Sequence, residues 1–340
     1  MAWSNILVRA ANWVGDAVLS LPALRAIREH NPQAHIAVLA RPWVAGLYRR
    51  EPFCDEHIPA PRTLAGRLRL TRSLRKRRFD AAILLPNSFE AALIARLAGI
   101  PQRIGYDRDG RGFLLTAAIP PPQAGEIPRH ESFYYLELLR RAGIIPELPP
   151  AAPILLGGAE EARRIGRERF AAMGFRQPVV GISPGAENSR AKQWLPERFV
   201  ETATQLAASL GAAVALFGSP SEQTLGRLLA EQLRRSGCRV LNLAGETTLE
   251  QFVEMAAACR VFLSNDSGAM HVASALGVPT VVVFGPTDWI ATAPAGPFAH
   301  IVRQPVECSP CMLRDCPIDH RCMKAVTSEQ VAQAALDLVK

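Results

Sequence analysis

Short apolar runs alternate with longer amphipathic stretches along the whole chain. In the first half, apolar runs lie at residues 5–10, 35–40 and 81–85, and helical patterns lie at about 18–30, 89–98 and 130–142. Gly99 and Pro101 follow one of these helical patterns, as stop signals commonly do. Repeated strand-then-helix units of this length predict a parallel sheet with helices on both faces.

The second half repeats this rhythm after a break. Four prolines lie within residues 145–153 and predict a linker that continues neither a helix nor a strand. Strands are then predicted at 179–183, 213–217, 240–243, 261–264 and 280–284, with helices at 160–173, 197–210, 222–235, 249–258 and 268–276. We therefore expect domains at 1–155 and 156–327. The spacing allows a last helix, 328–340, to reach back to the first domain.

Two doubly wound domains favour an enzyme that binds its ligands in a cleft, at the carboxyl ends of the strands. A chain of 340 residues with 49% hydrophobic residues can form two such cores. No Gly-x-Gly-x-x-Gly fingerprint follows the first strand, which argues against a dehydrogenase.

The net charge of the chain and the lengths of its apolar stretches indicate which kinds of molecule it binds and whether it spans a membrane. The net charge of +8 predicts anionic partners, such as nucleotide phosphates, an anionic membrane face or nucleic acid. Basic residues concentrate at 62–78 and 103–111, and a solvated helical face is an equal interpretation of the first run. No aromatic residues interleave with the arginines of that run, which disfavours nucleic acid. No apolar stretch reaches the roughly 18 residues of a membrane span, and the first residues lack a secretory cleavage pattern. We expect a cytoplasmic protein, or one peripheral on a membrane.

The loop after the first strand is the first candidate for chemistry. Gly15 permits close approach of a ligand to the backbone, and the following amides open a helix that can receive an anion. Asp16 then lies at the mouth of the expected cleft. The alternative is that Asp16 only caps the helix, as aspartate often does.

Three further strand-to-helix loops carry candidate phosphate and sugar contacts. Residues 183–194 form a small-residue loop that ends near Lys192, whose ammonium suits a phosphate, although a surface lysine in a turn is equally plausible. Asp266 starts the next such segment, where an N-cap is the rival interpretation. His271 lies one turn farther on, and a lone histidine is more often a core residue. Glu222 is placed to accept ribose hydroxyls or to sit in a helix first turn.

Five motifs follow one another in a distinctive order. They are Trp-Val-Gly-Asp at 13–16, Pro-Gly-Ala-Glu with Lys-x-Trp at 184–194, Phe-Gly-Ser before Glu222, Leu-Ala-Gly-Glu-Thr at 243–247 and Asn-Asp-Ser-Gly-x-Met-His-Val-Ala at 265–273. In this order the chain resembles glycosyltransferase family 9, the ADP-heptose:lipopolysaccharide heptosyltransferases, from residue 6 to about 286. Leu-Pro-Asn-Ser-Phe at 85–89 makes it most similar to members that add the second inner-core heptose.

The resemblance implies a GT-B fold, with two Rossmann-like domains facing across a cleft. The first domain then binds the acceptor and the second binds the nucleotide-sugar donor. Asp16 matches the general base of an inverting transfer, Lys192 the contact with the donor diphosphate, and Glu222 the ribose contact. The other candidate donor contacts are Gly15, Ser183, Gly185, Gly245, Thr247, Asp266, Ser267, Gly268 and His271. The resemblance implies no cofactor for the chemistry.

The implied partners are ADP-heptose and a lipid A–Kdo–heptose acceptor, with transient contact with the inner leaflet of the inner membrane and none with nucleic acid. Candidate acceptor contacts are Asn12, Trp13, Asn87, Arg103, Arg108 and Arg111. Heptosyltransferases of type I or III, or another family-9 sugar transferase, stay open as alternatives. A metal-dependent nucleic-acid-binding protein is a remote one.

Four cysteines cluster near the C-terminus. Cys308, Cys311, Cys316 and Cys322 form a C-x₂-C-x₄-C-x₅-C array. A structural zinc or iron–sulfur cluster, a disulfide or redox pair, and free thiols all fit this spacing. Some members of the family carry such cysteines and others lack them, so catalysis is not expected to need them.

Overall fold

The computed structural model describes residues 3–187, 189–296 and 298–340. Its contacts divide the chain into two units, one ending at Ile154 and one running from Leu155 to Lys340. Each unit contains a six-stranded parallel sheet with helices between its strands. The predicted α/β class with two doubly wound sheets is therefore confirmed.

The first unit is built on a sheet of order β3-β2-β1-β4-β5-β6. Its strands are β1 (Asn5–Arg9), β2 (His35–Ala40), β3 (Glu56–Pro59), β4 (Ala81–Leu84), β5 (Gln102–Tyr106) and β6 (Ala117–Ile119). Its helices are α1 (Val14–Leu19), α2 (Leu21–His30), α3 (Pro42–Ala45), α4 (Leu64–Arg77), α5 (Phe89–Leu97) and α6 (Ser132–Arg141).

The second unit has the same topology, in a sheet of order β12-β11-β10-β7-β8-β9. Its strands are β7 (Val179–Ser183), β8 (Ala213–Leu216), β9 (Val240–Asn242), β10 (Val261–Asn265), β11 (Thr280–Val283) and β12 (Ala299–Val302). Its helices are α7 (Ala159–Ala172), α8 (Pro196–Leu210), α9 (Gln223–Arg235), α10 (Leu249–Ala257), α11 (Gly268–Ala275), α12 (Arg321–Lys324) and α13 (Ser328–Leu338).

The strand order in each sheet determines where polar loops meet. The first strand of each unit lies beside its fourth, at the point where the order reverses: β1 pairs with β4, and β7 pairs with β10. In β4, β7 and β10 every residue is buried, as expected for central strands covered by helices on both faces. Because all pairings are parallel, the loops after β1 and β4 share one edge, as do the loops after β7 and β10. Ligands bind at such switch points in open α/β sheets.

Two differences from the predicted elements have local causes. The helix expected at 18–30 starts earlier, at Val14, and is divided at Ser20, whose hydroxyl donates to the carbonyl of Ala17 at 2.9 Å. Pro22 comes two residues later and has no N–H with which to continue the first helix. The strands β3, β5, β6 and β12 were not predicted, because all four are only partly buried and lack a continuous apolar run; β3, β6 and β12 also lie at sheet edges.

The C-terminal helix packs within the second unit. Helix α13 packs against α8, β11 and β12, and Val331 and Ala335 are buried in the core of that unit. Just before it, the carbonyl of Val326 accepts the indole N–H of Trp194 at 3.1 Å. Within the described residues, no helix has the length and hydropathy that a membrane span requires.

Candidate active site

Asp16 lies on the first turn of α1, directly after the end of β1. The N-cap position is occupied by Trp13, whose side chain makes no capping hydrogen bond. Asp16 is the third residue of the helix and is half-buried, so it is not the N-cap. A carboxylate in the first turn is favoured by the helix dipole, and its position leaves it at the edge where ligands bind.

A buried arginine that the sequence analysis missed holds this loop in place. Arg9, at the end of β1, donates to the carbonyls of Ala10 and Leu39 and to the side-chain oxygen of Asn12. Burial and the nearby charge of Arg41 lower the pKa of Arg9 to about 10, so it stays charged at neutral pH. The side-chain oxygen of Asn12 is therefore already bonded within the first unit, to Arg9.

The negative charge of Asp16 affects the pKa of Tyr135, a buried residue of α6. Burial raises the pKa of Tyr135 well above its ordinary value, and the charge of Asp16 raises it further. The Tyr135 hydroxyl therefore stays protonated at physiological pH and remains able to donate a hydrogen bond. Sequence reasoning missed this residue because its only signal was the apolar face of α6.

The loop after β4 carries Asn87, whose amide is already bonded within the unit. Its nitrogen donates to the hydroxyl of Tyr134 at 2.9 Å, and its oxygen accepts from Arg111 at 3.3 Å. Arg111 is fully buried and also donates to the carbonyls of Tyr106, Pro86 and Ser88. The expectation that Arg111 contacts an acceptor is therefore corrected, since its guanidinium holds the 86–88 loop.

The other two arginines of the 103–111 run have different environments. Arg103 is partly buried and donates to the carbonyls of Leu114, Ile100 and Pro101, so it also holds its own loop. Arg108 is exposed. Trp13 is exposed as well, with 55% of its surface accessible. Of these candidates, Trp13 and Arg108 have side chains exposed to solvent.

Lys192 and Asp266 form an ion pair in the second unit. The ammonium of Lys192 lies 2.8 Å from Oδ2 of Asp266, and the hydroxyl of Thr287 donates to the same oxygen at 2.7 Å. Asp266 is nearly buried at 5% exposure, whereas the side chain of Lys192 is 29% exposed. The buried carboxylate thus holds an accessible ammonium at the edge of the sheet.

The start of α11 is the second feature of this edge. Its N-cap is Ser267 rather than Asp266, and the Ser267 side chain makes no capping hydrogen bond. Its hydroxyl instead lies 3.1 Å from the hydroxyl of Ser264. The amides from Gly268 onward therefore lack a cap from Ser267 and are suited to an anion.

Asn265 joins the loop after β7 to the end of the turn that carries Lys192, although the sequence did not single this residue out. This fully buried residue donates to the carbonyl of Pro184 at 2.6 Å and accepts from the backbone N–H of Trp194 at 2.9 Å. It fixes the loop that leads to Lys192 against the end of β10. Its signal was an amide side chain at the end of an otherwise apolar strand.

Glu222 lies against Gly185. One carboxylate oxygen of Glu222 accepts from the N–H of Ser219 at 2.7 Å, in a capping box that starts the turn before α9. A β-carbon on Gly185 would stand 1.7 Å from the other oxygen, so only glycine permits this approach. Glu222 therefore lies in the first turn of a helix, as one of the two interpretations of its position expected. Its second carboxylate oxygen faces Gly185, in the loop after β7.

The remaining donor candidates lie at or near the same edge. Ser183 ends β7 beside Ser264 of β10, and His271 is buried within α11. Gly245 has φ +76°, which favours glycine, and donates its N–H to the carbonyl of Gly218 at 2.8 Å. Thr247 comes just before Thr248, the N-cap of α10.

The cysteine segment, residues 308–322, is hydrogen-bonded to the turn that carries Lys192 and to the loop after β11, which carries Thr287. The backbone N–H groups of Cys311 and Met312 donate to the carbonyl of Pro286 at 3.0 and 2.8 Å, next to Thr287. The ring nitrogen Nε2 of His320 lies 2.8 Å from the carbonyl of Ala191, next to Lys192. The segment is therefore bonded next to Lys192 and next to Thr287, the residue whose hydroxyl donates to Asp266.

The four thiols of this segment are unpaired in disulfides. Cys308 and Cys311 are exposed, Cys316 is half-buried and Cys322 is buried. Burial, with a contribution from the neighbouring Cys308, raises the pKa of Cys322. Within residues 3–187, 189–296 and 298–340, no three His, Cys, Asp or Glu side chains are grouped to hold a metal ion. The zinc or iron–sulfur centre considered from the spacing has no ligand set in this structure.

Comparisons with known proteins identify the family of this chain. The family model described as "Glycosyltransferase family 9 (heptosyltransferase)" matches residues 67–321. Lipopolysaccharide heptosyltransferase 2 of Salmonella typhimurium is 37% identical, and that of Escherichia coli K12 is 36% identical, each alignment covering 88% of both chains. The structure of E. coli ADP-heptose LPS heptosyltransferase II superposes with a TM-score of 0.83 at 32% identity, covering 98% of both chains.

Proposed function

This chain belongs to glycosyltransferase family 9, the heptosyltransferase family, and we propose that it transfers a heptose from ADP-heptose to the first heptose of the lipopolysaccharide inner core. The observation that carries the proposal is the Lys192–Asp266 pair beside the start of α11, at the switch point of the second sheet. An accessible ammonium and open helix amides at one edge are suited to a diphosphate.

The second unit binds the donor in this proposal. Lys192 and the amides after Ser267 contact the diphosphate, while Asp266 holds Lys192 in place from the buried side. The second carboxylate oxygen of Glu222, which does not bond to Ser219, accepts a hydrogen bond from a ribose hydroxyl. Gly185 has no side chain that would occupy the space of this oxygen. Gly245 and Thr247 border the adenine, and Ser183 and His271 complete the surroundings of the donor.

The reaction proceeds as one displacement with inversion. Asp16 takes the proton from the acceptor hydroxyl, the oxygen attacks the anomeric carbon, and the bond from that carbon to the phosphate oxygen breaks. Negative charge then grows on the departing ADP, where Lys192 and the start of α11 stabilise it. Charge stabilisation that strengthens in the transition state raises the rate rather than only the affinity. These steps use the side chains and amides of this chain and no cofactor.

The first unit binds the acceptor in this proposal. Gly15 and Asp16 form the loop that receives the reactive hydroxyl, with exposed Trp13 beside them. Arg108 offers a charge to the phosphorylated, acidic oligosaccharide of a lipid A–Kdo–heptose acceptor. Because that acceptor is anchored in lipid, the protein works in the cytoplasm and in transient contact with the inner leaflet.

Transfer to a panel of acceptors tests the proposal. The purified chain is incubated with ADP-heptose and inner-core acceptors that carry no heptose, one heptose or two heptoses. We expect ADP release and heptose addition only on the acceptor with one heptose. Reaction on the heptose-free or the two-heptose acceptor would assign the chain to type I or type III instead, and no transfer to any of them would refute the proposal. Nucleic-acid binding without affinity for ADP would favour the remote alternative.

A further inference from the structure

Exposed apolar side chains gather at the start of α4 and α5 in the first unit. Leu64 and Leu68 lie on consecutive turns of α4 and are 71% and 48% exposed. Phe89, at the start of α5, is 43% exposed, and Phe113 is 70% exposed. The rings of Phe89 and Phe113 lie 6.1 Å apart. Large apolar side chains exposed together, rather than singly, commonly mark an interaction site.

These four residues, which we call the apolar patch, form one surface. Helices α4 and α5 pack against each other, and Arg67 of α4 contacts Glu90 of α5 at 2.8 Å. Arg67 stands between Leu64 and Leu68 in sequence, and Glu90 follows Phe89. The ion pair therefore ties the leucine part of the patch to the phenylalanine part.

Helix α4 adds a dense positive charge next to the patch. Six of its 14 residues are arginine or lysine and none is acidic. Leu70 and Leu74 face the core, whereas the basic side chains that face solvent are Arg69, Arg72, Arg75, Lys76 and Arg77. An apolar first turn followed by a cationic surface is typical of helices that lie at a membrane interface.

The surface continues to the loop of the proposed base. The guanidinium of Arg62, just before α4, lies 4.2 Å from the ring of Trp43. The indole N–H of Trp43 donates to the carbonyl of Asn12 at 3.0 Å. Since the sheet is parallel, the starts of α4 and α5 lie at the same edge as residues 12–16. A bilayer against the patch would therefore present a lipid-anchored acceptor beside Asp16.

We propose that the apolar patch and the cationic face of α4 form a docking surface for an anionic lipid bilayer. This inference rests on the proposed function in one respect only, the lipid anchor of the acceptor. The positive charge of α4 disfavours a second copy of the same face, since like charges would be opposed. Nucleic acid is also a poor fit, because the phenylalanine rings lie against each other at 52° and the leucines offer no stacking face.

Vesicle binding by the full chain tests the docking surface. We expect cosedimentation with vesicles of phosphatidylcholine mixed with phosphatidylglycerol, weak binding to phosphatidylcholine alone, and partial loss of binding in high salt. Leu64→Ser with Phe113→Ser is expected to reduce partitioning about tenfold or more, because insertion of each apolar side chain is favourable. Arg72→Gln with Arg75→Gln is expected to reduce it by a similar factor, since each cation near an anionic surface contributes severalfold.

Matched controls and a second readout keep the test specific. Leu228→Ser and Arg234→Gln, on exposed positions of α9 in the second unit, are expected to leave vesicle binding unchanged. Circular dichroism of each variant checks that it is folded. Transfer to a lipid-free acceptor is expected to be unaffected by the Leu64→Ser, Phe113→Ser variant, whereas transfer to acceptor embedded in vesicles falls.

Two binding results would overturn the docking surface, and so would the absence of vesicle binding. One is wild-type binding that does not depend on anionic lipid or on the patch variants. The other is a concentration-dependent dimer, seen by analytical ultracentrifugation, that the patch variants abolish while vesicle binding persists. Normal transfer to a lipid-free acceptor together with no vesicle binding would reject this surface and leave the proposed function standing, whereas no transfer to any acceptor would reject the function alone.

Discussion

Asp266 is buried at the end of β10, and its Oδ2 lies 2.8 Å from the ammonium of Lys192, which comes from a turn 74 residues earlier in the chain. The carboxylate is the fixed member of the pair, because it is 5% exposed and also bonded to Thr287. Lys192 is the accessible member. The ammonium of Lys192 and the first amides of α11 therefore lie at the same edge of the second sheet.

Replacing Lys192 tests its part in stabilising the leaving group. We expect Lys192→Met to lower kcat about 10²–10³-fold, since removal of one preorganised transition-state contact typically has that effect. The measurement is steady-state transfer from ADP-heptose, with ADP affinity determined by calorimetry. Lys324→Met, at an exposed lysine of the same unit, is the control and should behave as wild type. A kcat within twofold of wild type for Lys192→Met would contradict the assignment.

Replacing Asp16 tests the base. We expect Asp16→Asn to lower turnover about 10²–10⁴-fold, the usual contribution of a positioned general base, while ADP still binds to the second unit. Asparagine keeps the size and polarity of the side chain but cannot take the proton. Asp109→Asn is a matched control, because Asp109 is exposed and asparagine tolerates its left-handed φ of 55°. Unchanged turnover in Asp16→Asn would remove Asp16 from the mechanism.

The close approach of Gly185 and Glu222 predicts the behaviour of a single variant and of a double variant. Gly185→Ala is expected to weaken ADP binding and to destabilise the second unit, because its β-carbon would collide with the carboxylate. Adding Glu222→Ala to this variant should restore stability by removing the obstacle, but not affinity, because the proposed ribose contact is lost. Thermal unfolding and calorimetric titration with ADP measure the two effects. Recovery of both stability and affinity in the double variant would show that Glu222 does not bind ribose.

The cysteine segment is expected to react unevenly with alkylating agents. Cys308 and Cys311 are exposed, whereas Cys322 is buried and its raised pKa keeps it protonated. Because the thiolate is the nucleophile, we expect labelling of Cys308 and Cys311 well before Cys322. Timed iodoacetamide treatment followed by peptide mass mapping measures the order. Protection of all four thiols, released by a chelator or by a reductant, would instead reveal a metal cluster or disulfides.

Glu137 predicts an acid-sensitive contribution to stability in the first unit. Its carboxylate accepts hydrogen bonds from Arg140 at 2.8 Å and from Arg141 at 2.5 Å, and these bonds lower its pKa from the ordinary value of 4.5. A pKa that is lower in the folded chain means that the stabilisation is complete above pH 4.5 and fades as the pH falls through the folded pKa.

The corresponding variant is Glu137→Gln. We expect it to reduce the free energy of unfolding by about 1–2 kcal/mol at neutral pH, a typical value for hydrogen bonds to a charged group, with a smaller difference in acid. Urea unfolding of wild type and variant at both pH values measures this. Glu29→Gln, at an exposed position, is the control. An equal difference at both pH values would show that the charge of Glu137 is not the cause.

The sequence predicted the strand-to-helix loops well because their signals are local. A buried strand is a short apolar run, and the small and polar residues directly after it mark the edge at which ligands bind. Asp16, Lys192 and Asp266 were found in this way, and each lies at such an edge in the structure. The alternating pattern also limits the possible strand orders, because parallel crossovers allow few arrangements, but it does not choose one of them.

Contacts between distant segments could not be predicted in the same way. The sequence shows that Arg111 is charged, but not that its guanidinium is buried among the carbonyls of a loop some 25 residues earlier. The contact between Gly185 and Glu222 likewise depends on two loops meeting in three dimensions. Arginine has five N–H donors and serves equally well to bind an anion or to hold a loop, so residue type alone does not distinguish these roles.

Helix α13 gives the second unit a property useful for protein engineering. Because its last helix packs into its own core, the unit from Leu155 to Lys340 is one uninterrupted segment of chain. Relatives with the same architecture could therefore be recombined at a single junction near Ile154, without dividing either core. If the proposed division of roles holds, hybrids made in this way would pair one proposed donor module with different proposed acceptor modules, so that acceptor preference is reassigned without rebuilding the proposed nucleotide site.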